Sequence, residues 1–459
     1  MDAAQTEQMN RAEAYDRSQD EPINPSEAPV FGQIVERRFG RRAFLGGSLA
    51  AAALAAAGPA LLGGVRRAEA AEVPGFAFDE IAHGVDETHH VAPGYDADIL
   101  IRWGDPVLPG APPFDPLKQT ASAQALQFGY NNDFIGFLPL PQGASAAATT
   151  TRGLLFVNHE YTNEEVMFPN LPAAKKGEDP LARMTADHVA IEMAAHGNTV
   201  VEIARDAAGK WRVVPDSRFN RRIITADTAM TISGPAAGDP RMRTKADPEG
   251  RLAVGTLNNC AGGTTPWGTV LTAEENFHGY FVASVKTPAS EGRKADYLAG
   301  NPEASNHKRY GVPGLWYAWG RFHDRFDIDK EPNEPNRFGW LVEVDPYDPE
   351  SRPVKRTALG RFKHEGAGPI IATDGRAVVY SGDDEQFEYV YKFVSEGRFD
   401  PNDRTANMAL LDSGTLYVAK FEADGSVAWL PLVHGQGKLT AENGFASQAD
   451  VVIEARRAA

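Results

Sequence analysis

The sequence predicts an all-β protein, and within that class a β-propeller with long loop insertions. Three observations predict it. Short runs rich in β-branched and aromatic residues recur from Gly153 to Leu432, and several are joined across Asp-Gly-type turns, the signature of hairpins. Only one stretch carries a convincing helical period. The chain has 459 residues with 44 glycines and 32 prolines, too long for a single sandwich and well supplied with turn formers. No fixed-period repeat marks out individual blades.

Residues 1–36 are polar and lack an apolar period, so they read as a disordered extension. Residues 37–70 read as an export signal. Arg41 and Arg42 precede Ala43-Phe44-Leu45, an Ala- and Gly-rich apolar run follows, and Ala68-Glu69-Ala70 supplies a small-residue cleavage site. The paired arginines mark the twin-arginine type. A membrane anchor is the weaker reading, because the run is Ala-rich and close to the minimum spanning length. The expectation is cleavage after Ala70 by an export route that uses the twin-arginine machinery. The mature chain, 71–459, would then be periplasmic or secreted, without a stable membrane anchor.

Strands are predicted over Gly153–His159, Thr199–Ala204, Trp211–Val214, Thr269–Thr272, Trp340–Val344, Ala377–Ser381, Glu388–Val394, Thr415–Phe421 and Val427–Leu432. Asp206–Lys210, Thr373–Arg376 and Glu422–Ser426 read as hairpin turns. Asp187–Met193 reads as a helix with Thr185 as its cap. Thr231–Gly250 and Ser290–Pro335 mix Gly, Pro and charge, and read as long loops covering one face of the sheets.

The formal net charge of −16 argues against nucleic acid, whose phosphates need a basic face. It suits divalent cations, although solubility alone accounts for it equally well. A single cysteine excludes an intramolecular disulfide. A lone cysteine is most often a small buried hydrophobe. Here Cys260 lies in Asn258-Asn259-Cys260-Ala261-Gly262-Gly263, followed by a small-residue turn, a short strand and the acidic pair Glu274-Glu275. Three further clusters follow strand-like runs: Asn158-His159-Glu160, His364-Glu365 after Leu359–Phe362, and Asp383-Asp384-Glu385. Each alone is as readily a solvated turn as a ligand. Their recurrence at strand ends tips the balance, since strand ends of a propeller converge and converging carboxylates need a cation. Carboxylate and amide oxygens suit calcium, and a thiolate beside them suits iron. Zinc is disfavoured, because neither paired cysteines nor an H-x-x-x-H spacing occurs. No nucleophile elbow, Walker loop or dinucleotide glycine motif stands out.

Taken together, VNHEYTN at 157–163, NNCAGGTTPWGTVLTAEEN at 258–276, WLVEVDP at 340–346, KHEGA at 363–367, YSGDDEQFEYVYKFVS at 380–395, GTLYVAKF at 414–421 and the twin-arginine leader resemble the bacterial PhoX-type alkaline phosphatase family. The resemblance spans nearly all of the mature chain. It implies a six-bladed propeller whose Ca2+ and Fe3+ cluster hydrolyses phosphate monoesters, in a protein expected to be monomeric. It makes Cys260 a thiolate ligand to iron, and Glu160, Glu275, Glu365, Asp383 and Asp384 carboxylate ligands to iron or calcium. It makes Asn158 and Asn259 ligands or substrate contacts. The family's Asp-Arg-Pro-Glu motif would fall just beyond Ile453–Ala459, so the resemblance implies a C-terminally truncated propeller with an incomplete site and no assigned catalytic residue. Two other readings fit the same residues. One is a non-catalytic calcium-binding propeller that docks extracellular partners, for which a thiolate has no use. The other is a calcium-dependent lactonase or esterase, which would need no iron.

Overall fold

A computed structural model describes residues 79–144, 150–175, 179–284, 297–422 and 424–459. The expected disordered extension and signal peptide lie outside them. The described residues fall into two units. One comprises residues 101–420 with 428–459 and holds the cavity described below; the other comprises 79–100 with 421–427. In the second unit, residues 79–100 form neither helix nor strand, and the Asp86 carboxylate accepts from the backbone and hydroxyl of Thr88.

Three sheets make up the described fold, and the all-β expectation stands. The first has the order β1 (Asn132–Pro139), β2 (Arg152–His159), β3 (Gly197–Arg205), β4 (Trp211–Val213), with β5 (Arg221–Ile223) also pairing β3. The second contains β6 (Ala229–Ser233), β7 (Leu252–Val254), β8 (Asn259–Thr264), β9 (Val270–Glu274), β10 (Leu341–Val344) and β11 (Val354–Arg356), in the order β7-β6-β11-β10-β9-β8. The third runs β12 (Gly368–Ile371), β13 (Arg376–Gly382), β14 (Val390–Arg398), β15 (Gly414–Phe421), β16 (Val427–Pro431). The β6–β11 pair is parallel, and the pairs that flank the cavity are antiparallel.

Side-chain chemistry accounts for the difference between the sheets. Every residue of β9 and β10 is buried, and their two acids are matched inside, Glu274 by Lys355 and Glu343 by Arg356. In β14 the pattern alternates, with Tyr391, Phe393 and Ser395 inside and Lys392 and Val394 less covered. All three hairpin turns read from the sequence are present. Asp206 N donates to Lys210 O at 2.8 Å, Ala372 N to Arg376 O at 2.9 Å and Glu422 N to Ser426 O at 2.9 Å. The expected helix, α1 (Ala186–Ala195), is capped by Thr185, whose hydroxyl accepts from His188 N while His188 Nδ1 accepts from Thr185 N.

Several readings need correcting. The Gly262-Gly263-Thr264 stretch is strand β8 and not a turn. A side chain there would collide, since a Cβ on Gly262 would lie 2.4 Å from Leu271 O and one on Gly263 2.1 Å from Ala367 O. Leu359–Phe362 is not a strand. A 3-10 turn at Thr357–Leu359 leads into a buried bend in which Phe362 stacks on Tyr391 at 4.1 Å. The described part of Ser290–Pro335 does not simply lie over a sheet face. Tyr310, Val312, Tyr317, Trp319 and Phe326 are buried with Val189, Ile191 and Met193 of α1 in one hydrophobic core. The four aromatic side chains would each leave about 150–250 Å2 of surface in water on a loop laid over the surface, which is why they pack instead. Among the described residues no helix is long and apolar enough to cross a membrane.

Candidate active site

Two β-bulges aim the central side chains. Between the pairs Asn259↔Glu274 and Gly262↔Thr272, β8 holds one residue more than β9, and Cys260 lies in that bulge. Between Asn132↔His159 and Ile135↔Val157, β1 holds one residue more than β2, and Asp133 lies there. A bulge turns a side chain out of the pleat, so each strand directs one ligand-type group sideways. The Cys260 thiol meets Asp133 Oδ2 at 3.6 Å. Glu160 follows the end of β2, with its N–H donating to the carbonyl of Asn131 at 3.1 Å. Donor atoms of Asp133, Glu160 and Cys260 all lie within 4.8 Å of one another.

These three groups line a cavity of about 450 Å3 together with Glu275, Glu365 and Asp384. Its lining has five carboxylates and a thiol but no lysine, arginine or histidine. Charge crowding is therefore not relieved by the walls. Burial, reinforced by Asp133, Glu365 and Asp384, pushes Glu160 up to about 7. Burial, then the hydrogen bond and charge of Asp384 and the charge of Glu160, pushes Glu275 up to about 10. Burial raises the Cys260 thiol, with Glu275, Glu160 and Asp133 adding to it. Glu365 is raised by burial and then by Asp384 and Asp133.

Buried amides hold this arrangement. Asn158 Nδ2 donates to the carbonyls of Cys260 and Ala261, and its Oδ1 accepts from Asn198 Nδ2 at 2.8 Å and Thr272 Oγ1 at 2.9 Å. Asn259 Nδ2 donates to Thr256 and Thr272 hydroxyls at 2.7 and 2.9 Å. Asn258, in the left-handed region at φ 48°, accepts from Asn276 N on its Oδ1 at 2.7 Å and from Glu275 N on its carbonyl at 3.0 Å. Asn276 Nδ2 then donates to Glu275 Oε1 at 2.6 Å.

The fold thus brings Cys260, Glu160, Glu275, Glu365 and Asp384 to one cavity and leaves three other predicted site residues outside its lining. Asn158 and Asn259 are fully buried, Asn158 holding the carbonyls of Cys260 and Ala261 and Asn259, in β8, bonded to the hydroxyls of Thr256 and Thr272. Asp383 faces away from its neighbour Asp384 and is gripped by Arg456, with Nε to Oδ2 at 2.6 Å and Nη2 to Oδ1 at 2.5 Å. Successive side chains point to opposite sides of extended backbone, so adjacent acids cannot both face the cavity. Glu385 is likewise neutralised, by Lys363. Both ring nitrogens of His364 are likewise engaged within the protein. Its Nδ1 pairs with Ser381 Oγ at 2.8 Å and its Nε2 with Gly360 O at 2.9 Å, and burial pushes it down to about 3. Of the acidic pair ending β9, Glu275 faces the cavity while Glu274 is buried against Lys355 Nζ at 2.6 Å. The sequence reading missed Asp133, Asn163, Asn276 and the aromatic residues Tyr161, Trp316 and Tyr317 of the lining. Asp133 lies in a strand interrupted by Gly136 and ended by Pro139, which hid it.

A family model described as alkaline phosphatase PhoX matches residues 76–459. The chain belongs to the PhoX family. Among solved structures it is similar to Pseudomonas fluorescens PhoX in complex with vanadate, a transition state analogue, at 43% identity and a TM-score of 0.72. That match covers 83% of this chain and 62% of the PhoX structure. No curated protein matches the chain. The fold is of the β-propeller kind that the resemblance implied, and the described residues supply three sheets to it.

Proposed function

We propose that the chain is an alkaline phosphatase that hydrolyses phosphate monoesters in the acidic cavity, with calcium and iron bound there. The convergence of Asp133, Glu160 and Cys260 within 4.8 Å carries this reading, since nothing in the lining offsets their charge. The donor set fits both ions: a thiol beside carboxylates suits iron, and Glu275, Glu365 and Asp384 offer the hard oxygens calcium takes. When bound, the cations supply the positive charge that gathers phosphate oxygens and stabilises the transition state of phosphoryl transfer. Membership of the PhoX family and likeness to a PhoX that takes vanadate support the same chemistry.

The chain's own residues have definable tasks in it. Asn276 and Asn258 fix the orientation of Glu275, so its carboxylate is held before any ligand arrives. Tyr317 Oη bonds both the N–H and the carbonyl of Thr162, which closes the cavity wall beside Tyr161 and Asn163. Asn158 holds the carbonyls of the two bulge residues, Cys260 and Ala261. In the same proposal the chain is exported by the twin-arginine route, is cleaved after Ala70 and acts as a periplasmic or secreted monomer.

The test is hydrolysis of glycerol phosphate by the purified full chain. Turnover should require added calcium, vanish with a chelator and fall about ten- to a hundredfold in Glu275→Gln, the loss typical of removing a supporting metal-site group. Turnover indifferent to chelator and to Glu275→Gln would overturn the proposal.

A further inference from the structure

The acidic groups do not account for one side of the cavity. Trp316, Tyr317 and Tyr161 also line it, and Tyr161 is 38% exposed. Trp316 is seated with unusual firmness for a residue outside any helix or strand. The segment Gly314–Trp316 runs beside His278–Phe281 through three backbone bonds: Gly314 N to His278 O at 2.8 Å, Leu315 N to Phe281 O at 3.2 Å and Trp316 N to Gly279 O at 2.8 Å. The indole lies directly on Gly279, where a Cβ would meet its ring at 2.4 Å. The His278 ring packs against it edge-on, with centroids 4.7 Å apart at 68°. Tyr317, next along, is stacked on Tyr280 at 4.4 Å and 12°. A half-buried indole held by bare backbone loses little entropy when something lies against it.

We propose that this aromatic wall, with Trp316 at its centre, receives the alcohol part of the ester and selects phosphate monoesters whose leaving group is a flat aromatic ring. The inference rests on the proposed phosphomonoester chemistry of the same cavity. An acidic floor that gathers cations and phosphate has no means of telling one alcohol from another, whereas a π face discriminates rings by stacking. Gly279 is then a positioning residue, since only a residue without a side chain lets the indole sit where it does.

The test is equilibrium binding of phenylphosphonate, cyclohexylphosphonate and methylphosphonate to the full chain in the presence of calcium and iron salts. Phenyl and cyclohexyl have similar size and differ in planarity. Wild type should prefer phenylphosphonate over cyclohexylphosphonate by about three- to tenfold, the range of one aromatic stacking contact. Trp316→Ala and Gly279→Ala should bring that ratio to about one, and Trp316→Phe should keep part of it. Should Trp316→Ala fail to fold, Trp316→Phe decides: a reduced ratio supports the wall and an unchanged one overturns it. If all three phosphonates bind wild type without a phenyl preference, the aromatic wall falls and the phosphate site stands. If none binds, the phosphomonoester reading falls and this inference with it.

Discussion

Removal of Arg456 should expose what the Asp383-Asp384-Glu385 cluster is built on. The side chains of Arg456 and Asp383 are both fully buried, and two hydrogen bonds of 2.6 and 2.5 Å join them. Burial raises Asp383 even against the pull of Arg456, while Asp383, Glu388 and Glu385 hold Arg456 above its ordinary value, so desolvation offsets a large share of the attraction. Arg456→Met strands a buried carboxylate and should destabilise the chain by about 3–5 kcal/mol. Asp383→Leu should cost somewhat less, because Arg456 keeps the charges of Glu388 and Glu385 nearby. The double variant Arg456→Met/Asp383→Leu replaces an ion pair by an apolar pair and should lie within about 2 kcal/mol of wild type. Urea midpoints at constant slope measure all four corners of the cycle. Coupling of less than about 1 kcal/mol, or a stable Arg456→Met single variant, would refute the argument. A further variant settles Asp383 as a ligand. Folded Asp383→Asn should keep its calcium, and a loss of calcium in it would return Asp383 to the metal set.

Two other perturbations follow from buried groups. Asn158→Ala removes four buried hydrogen bonds, two of them to the carbonyls around Cys260, and should cost about 2–4 kcal/mol in urea unfolding with iron content lowered in the folded protein; a neutral variant would show that the Cys260 bulge holds itself. His307 is pushed down to about 4 by burial first and Arg361 second, and its Nε2 pairs with Pro332 O at 2.8 Å. The folded state keeps this ring neutral while the unfolded chain takes a proton near pH 6.5. Its contribution is therefore intact above about pH 6.5 and lost as pH falls to about 4, amounting to about 3 kcal/mol. Stability measured between those limits should fall less steeply in His307→Gln, and an unchanged slope would sink the assignment.

The strands legible in the sequence were those that carry their own β-branched and aromatic content, such as β2, β3, β13 and β15. β1, β8 and β12 were not, because Gly136, Gly262, Gly263, Gly368 and Pro369 write a turn composition into residues that are strand by tertiary contact. The site followed the same division. Glu160, Glu275, Glu365 and Asp384 follow the ends of elements and could be read as converging. Asp133 could not, since only a one-residue bulge turns it toward Cys260. Nor could Asp383 be told from Asp384, because the group that decides between them, Arg456, lies 73 residues further on. The aromatic residues of Ser290–Pro335 were visible, yet their packing against α1 depends on a contact over more than a hundred residues that local pattern does not encode.

The central claim is that the acidic cavity is a cation site. Elemental analysis of the dialysed full chain, beside Cys260→Ser and Glu160→Gln, tests it most directly. The account predicts that wild type retains iron and calcium, that Cys260→Ser loses iron, and that Glu160→Gln retains less of both. A metal-free wild type after refolding with both salts, or a metal content unchanged by either substitution, would contradict it.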